Sequence, residues 1–120
     1  MFTRLTPILP VEDVPAELAF YLRLGLEQHV DPDETYPVEE FAALVHGEHI
    51  LFGVARAADG VPVPPAGLDW QLETSDVDAV ARRAEESGLE VVSAVGVRPW
   101  GRRMMTLRSP SGYSVHVEEA

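Results

Sequence analysis

Few side chains in this sequence can do chemistry. His116 lies on a run near the end of the sequence, Tyr113-Ser-Val-His-Val, that has the alternation of a strand. Period-two alternation puts Ser114 and His116 on one face and turns Tyr113 to the other. A hydroxyl beside an imidazole is the start of a nucleophilic dyad, but the sequence identifies no third partner. A polar histidine hydrogen-bonded to its neighbours is the simpler expectation. His29 and His46 have no acid or second histidine at a suggestive spacing and read as ordinary exposed side chains. The chain has no cysteine, which excludes disulfides, thiol catalysis and cysteine-type zinc sites. It has no glycine-rich phosphate loop and no G-x-S-x-G nucleophile elbow.

Binding is better supplied than catalysis. Trp100 stands between Pro99 and Gly101, so the backbone bends there and the indole belongs to neither a helix nor a central strand. From Leu24 to Ala55 there are seven acids and no lysine or arginine, and Tyr36 and Phe41 sit among them. Phe41 also opens an apolar run, so core and ligand roles are equally open to it. Arg102 and Arg103 follow the tryptophan on opposite faces, and at least one of them is expected to pair with the acidic segment.

The net charge of −11, from 20 acids against 9 bases, argues against nucleic acid and against an anionic membrane surface. A cationic ligand would be attracted; solubility alone would also account for the charge. No apolar run approaches the roughly 20 residues of a membrane span, and the first residues lack the pattern of a signal peptide. The expected location is the cytoplasm. A chain of 120 residues with 46% hydrophobic content suits one folded domain.

The elements that must position these residues come as a repeat. Asp13-Val14-x-Ala16 returns as Asp76-Val77-x-Ala79, and Gly25-Leu26-Glu27 returns as Gly88-Leu89-Glu90, at a constant offset of 63. Two copies of about sixty residues indicate a duplicated module rather than a solenoid. In each copy a short strand leads to an N-capping aspartate, Asp13 or Asp76, then to a helix ended by Gly25 or Gly88. Three strands follow, near 26–30, 41–45 and 49–55 in the first copy and near 90–94, 103–108 and 113–118 in the second. The proline-rich stretch 58–67 reads as the linker between module one (about 1–57) and module two (about 68–120). Trp70 alternates with Leu68 and Leu72 and should pack under its helix, leaving Asp69, Gln71 and Glu73 toward the other face. The predicted fold is α+β: two βαβββ modules whose sheets curl around a cleft.

Paired βαβββ modules resemble the vicinal oxygen chelate superfamily, which includes glyoxalase I, extradiol dioxygenases and the bleomycin resistance proteins. The likeness is nearest to the bleomycin-binding members and covers nearly the whole chain. It is carried by TPILPVEDVPAELAFYLRLGLE, EEFAALVHGEHILFGVA and RPWGRRMMTLRSPSGYSVHVEE. The turn Ser109-Pro110-Ser111-Gly112 departs from the usual acidic turn.

The resemblance implies a homodimer that sequesters a cationic glycopeptide antibiotic of the bleomycin type, with no chemical step and no cofactor. Such a ligand carries a flat bithiazole and a cationic tail, which call for aromatic faces and carboxylates. The ligand-binding residues it implies are Trp100, Phe41 and Tyr36, with Asp69, His116 and Ser114 lining the cleft. Metal-dependent relatives bind through the first and last strand of each module; the first-strand slots here hold Thr6 and Asp69, and the last slot holds His116. The remaining slot falls between His49 and Gly53. No metal is expected, and Asp69, His116 and His49 would be its ligands if one bound. The alternatives are a metal-dependent lyase or dioxygenase of the same superfamily, or a binder of another small aromatic molecule. Pro7 matches the hinge from which an N-terminal strand crosses to a second copy. The loop 31–38 is expected to decide the ligand.

Overall fold

A computed structural model describes residues 1–30 and 36–120. Both modules are present. Module one runs β1 (Ile8–Val11), α1 (Val14–Leu24), β2 (Glu27–His29), β3 (Phe41–His46) and β4 (His49–Arg56). Module two runs β5 (Trp70–Thr74), α2 (Val77–Glu86), β6 (Glu90–Val97), β7 (Arg103–Arg108) and β8 (Ser114–Glu119). Each forms its own four-stranded mixed sheet, ordered β1-β4-β3-β2 and β5-β8-β7-β6, with the first strand parallel to the last.

The repeat in the sequence is a repeat in local physics. The carboxylates of Asp13 and Asp76 accept from the N–H groups of Ala16 and Ala79, at 3.1 and 3.0 Å, and so satisfy a free donor of the first helical turn. Gly25 and Gly88 adopt φ of +112° and +67°, which a side chain would resist. Beyond them Leu26 N donates to the Tyr21 carbonyl and Leu89 N to that of Ala84, closing both helices in the same way. The offset also governs strand register. Ile8 lies opposite Gly53 as Gln71 lies opposite His116, and Ala43 opposite Gly53 as Thr106 opposite His116.

The modules share one core on the helix side of their sheets. Leu9, Val11, Leu44, Phe52 and Val54 of the first sheet and Leu107, Val115 and Val117 of the second are buried in it. Tyr21 of α1 is the hub: its ring meets Phe20 and Phe52 at 5.0 Å and Trp70 at 5.8 Å. Trp70 packs as the alternation predicts, with its ring 4.7 Å from Phe52. A polar clamp joins the modules on the same side. Ser111 N donates to the carboxylate of fully buried Glu17, Ser111 Oγ accepts from Glu12 N, and the Tyr113 hydroxyl donates to the Pro10 carbonyl at 2.6 Å. Each sheet therefore has its second face left over for function. No described helix is long and apolar enough to cross a membrane.

Candidate functional site

The second sheet carries the polar half of the site. On β8, Val115 and Val117 point to the core, so Ser114, His116 and Glu118 share the opposite face. His116 is held at both ring nitrogens: Nδ1 lies 2.8 Å from Thr106 Oγ1, and Nε2 lies 2.7 Å from Asp69 Oδ1. An ionised carboxylate only accepts, so Nε2 carries a hydrogen and donates it to Asp69. In the neutral ring Nδ1 then accepts from the Thr106 hydroxyl. A metal at His116 would have to displace one of these two partners.

Two residues further along β8 stands Glu118, buried to 8% exposure although it lies on the open face. Its Oε2 accepts from Trp100 Nε1 at 3.0 Å, and its Oε1 lies 3.6 Å from Arg102 Nε. Trp100 is on the hairpin between β6 and β7. Arg98 and Arg102 close this turn, with Arg98 N donating to the Arg102 carbonyl and Gly101 N to the Arg98 carbonyl, both at 2.8 Å. Gly101 takes φ +90° while Trp100 keeps an ordinary negative φ, the pattern of a type I turn closed by a left-handed glycine. The indole is thus fixed at its N–H yet 59% exposed.

The two arginines separate as alternation requires, but the partners they have among the described residues are not in the acidic segment. Arg103 binds Asp78 of α2 through two nitrogens, at 2.8 and 2.9 Å, and Glu119 at 3.1 Å. That bond holds the Asp78 carboxyl below the usual carboxylate range. Arg102 is the one that faces Glu118.

The first sheet supplies aromatic surface. Phe41 lies on the open side of β3, its ring centroid 5.5 Å from that of Tyr36. It crosses the backbone of Gly53 so closely that a Cβ there would sit 2.9 Å from the ring. Gly53 is the counterpart of His116, so the fourth ligand slot of the resemblance holds no side chain. His49 is not in that slot; it stands at the start of β4 opposite His46. Among the described residues no group of three histidines or acids comes together to hold a metal. Asp31, Asp33 and Glu34 of the acidic loop lie outside the described residues. Pro7 donates no hydrogen bond but accepts one, from Gly53 N at 2.8 Å, and residues 1–7 before β1 form no strand.

The structure brings Asp69, His116 and Ser114 onto one sheet face with the Trp100 hairpin, and puts Tyr36 and Phe41 on the other sheet. The cavity beside the aromatic pair holds only about 80 Å³. A groove of about 480 Å³ between the modules, lined by Leu24, Leu51, Glu73 and Val80 among others, includes none of the anticipated ligand residues.

With this duplicated architecture in view, residues 3–117 match the Glyoxalase/Bleomycin resistance protein/Dioxygenase superfamily. The chain belongs to this superfamily. No curated protein matches it. Among solved structures, the fold recurs in an Agrobacterium tumefaciens C58 protein of unknown function (21% identity, TM-score 0.77, covering 100% of this chain and 96% of that one). A bleomycin-binding protein complexed with bleomycin is similar at 21% identity and TM-score 0.73, covering 99% of both chains. A lactoylglutathione lyase from Agrobacterium tumefaciens is similar at 21% identity and TM-score 0.69, covering 100% of this chain and 95% of that one. At such identities the likeness establishes the fold, and the superfamily's functions vary on it.

Two residues of this sheet face are not among those the sequence singles out. Glu118 was legible, because it continues the Ser114, His116 alternation. Thr106 was not, because its meeting with His116 depends on the pairing of β7 with β8.

Proposed function

We propose that this protein binds and sequesters a cationic glycopeptide antibiotic of the bleomycin type, without modifying it. The observation that carries the reading is the Trp100 indole, more than half exposed and pinned by its N–H to Glu118 on an acidic sheet face. An exposed tryptophan on a rigid turn offers a stacking surface at little entropic cost, and carboxylates beside it favour a cationic ligand. Similarity to a protein that holds bleomycin supports the same reading.

The reading includes a homodimer. A drug-sized ligand needs roughly 300 Å³ or more, well above the dent beside Tyr36 and Phe41. A second copy would bring the aromatic sheet of one chain against the polar sheet of the other. Met1, Phe2 and Leu5 are almost fully exposed before Pro7, apolar surface that a crossing to a second copy would bury. Sequestration of this kind would act in the cytoplasm.

A second reading is favoured by one observation, the 2.7 Å approach of Asp69 to His116 at two of the metal slots. It makes the protein a metal-dependent lyase or dioxygenase. A binder of another small aromatic molecule is the third.

The test is calorimetric titration of the metal-stripped protein with metal-free bleomycin, followed in parallel by tryptophan fluorescence. Binding at about one drug per chain, with quenching abolished in Trp100→Ala, is the expected result. No heat and no quenching would reject sequestration, and a stoichiometric metal in protein purified without chelator would favour the enzyme.

A further inference from the structure

Arg102 is an odd residue to find in a site for a cation. The other ion-paired arginines of the described chain sit close to their partners: Arg56 lies 2.9 Å from Glu40, Arg108 3.0 Å from Glu90, and Arg103 2.8 Å from Asp78. Arg102 approaches Glu118 only to 3.6 Å, outside hydrogen-bond range, with its side chain half exposed. Glu118 is the reverse case, a carboxylate nine-tenths buried. Trp100 satisfies Oε2, while among the described residues no donor reaches Oε1 within hydrogen-bond distance. A mostly buried carboxylate side chain calls for a close cationic donor, and the one at hand is loosely seated. Glu73 lies directly opposite Glu118 in the parallel register, so this part of the face carries two carboxylates against one guanidinium.

We infer that Glu118 is the recognition point for a ligand's ammonium or guanidinium group beside the Trp100 indole, and that Arg102 is a built-in competitor occupying it when no ligand is bound. This rests on the proposed binding of a cationic ligand and adds the residue that receives the charge and the residue that must leave. Exchange is geometrically simple. The turn itself need not move: the half-exposed guanidinium of Arg102 can swing into water by side-chain rotation without uncovering core. The ligand's cation then takes the Oε1 side of Glu118 while Trp100 keeps its bond to Oε2. Such a competitor raises specificity, since a neutral aromatic molecule gains nothing by displacing it.

The experiment uses benzyltrimethylammonium, a simple aromatic cation, titrated by tryptophan fluorescence into wild type, Arg102→Gln, Glu118→Gln and the double variant. Glutamine at 118 keeps an acceptor for the Trp100 N–H, so the indole stays seated. The expected result is binding about two- to fivefold tighter in Arg102→Gln, the range an exposed ion pair is worth. Glu118→Gln should bind more weakly than wild type, and the double variant should match Glu118→Gln. Unchanged or weaker binding in Arg102→Gln overturns the inference, as does a gain that persists in the double variant, or no binding to any of the four. Metal-free bleomycin is titrated alongside: if the probe ranks the variants as expected while bleomycin fails to bind, the drug assignment falls and the exchange stands. If bleomycin binds wild type but is indifferent to Arg102→Gln and Glu118→Gln, the exchange falls and sequestration stands.

Discussion

Gly53 and His116 occupy the same place in the two modules: Gly53 lies opposite Ile8 and His116 opposite Gln71, each pair at the same 63-residue offset and in identical parallel register. Around that place the duplicated modules have diverged. His116 has Thr106 and Asp69 for partners, whereas Gly53 has Ala43 and, at the 63-residue offset, Thr6. The emptied position in the first sheet is covered by the Phe41 ring. One module thus presents a polar face and the other an aromatic one.

Gly53→Ala tests that division. The added Cβ would meet the far edge of the Phe41 ring at 2.9 Å, and Gly53 is otherwise in a conformation any residue accepts. Because the ring is partly exposed it can swing aside, so the stability cost should be about 1 kcal/mol, the low end for overpacking. Urea denaturation measures the cost, and near-ultraviolet circular dichroism should report the lost Tyr36–Phe41 pairing. An unchanged aromatic signal would contradict the placement of the ring.

The state of His116 is a second expected outcome. Since Asp69 can only accept, nitrogen-15 NMR should find the hydrogen on Nε2 in the neutral ring. Thr106→Val removes the partner of Nδ1 while keeping the shape of the side chain, and should leave the Nε2 tautomer in place. Asp69→Ala should release it toward a mixture. A neutral ring protonated at Nδ1 in the wild type would show that the carboxylate is not its partner.

Glu17 should make the stability of the protein depend on pH. It is fully buried, and burial pushes its carboxyl above the usual range despite its bonds from Ser111; its Oε2 has no hydrogen-bond partner among the described residues. A carboxyl whose folded-state pKa is raised favours the folded chain in its protonated form. Its contribution is therefore greatest below the unfolded pKa near 4.5 and is lost as pH rises through the folded value. Glu17→Gln keeps an acceptor for Ser111 and cannot ionise. The variant should gain stability relative to wild type as pH is raised from 4 to 8, measured by denaturation at each pH, and a constant difference would count against a buried charge.

The capping aspartates give a symmetric pair of outcomes. Asp13→Ala and Asp76→Ala each remove an acceptor from a helix N-terminus and should each cost about 1 kcal/mol in urea denaturation. A cost confined to one of them would show that the modules do not rely on the same local device.

Much of this protein was decided by the sequence alone. Capping, helix termination and strand alternation act over a few residues, so Asp13 and Asp76, Gly25 and Gly88, and the inward turn of Trp70 could be read directly. The duplication could be read as well, because the same local signals recur at one offset, and the family likeness follows from it. The tertiary structure decided which residues meet. That Gly53 rather than His49 is the counterpart of His116, that Thr106 and Asp69 bracket the imidazole, and that Glu118 is shared by Trp100 and Arg102 all depend on strand register and a folded hairpin. Register is fixed by how the core packs over distances of tens of residues. A linear pattern assigns a residue to a face, and only the packed sheet gives it a neighbour.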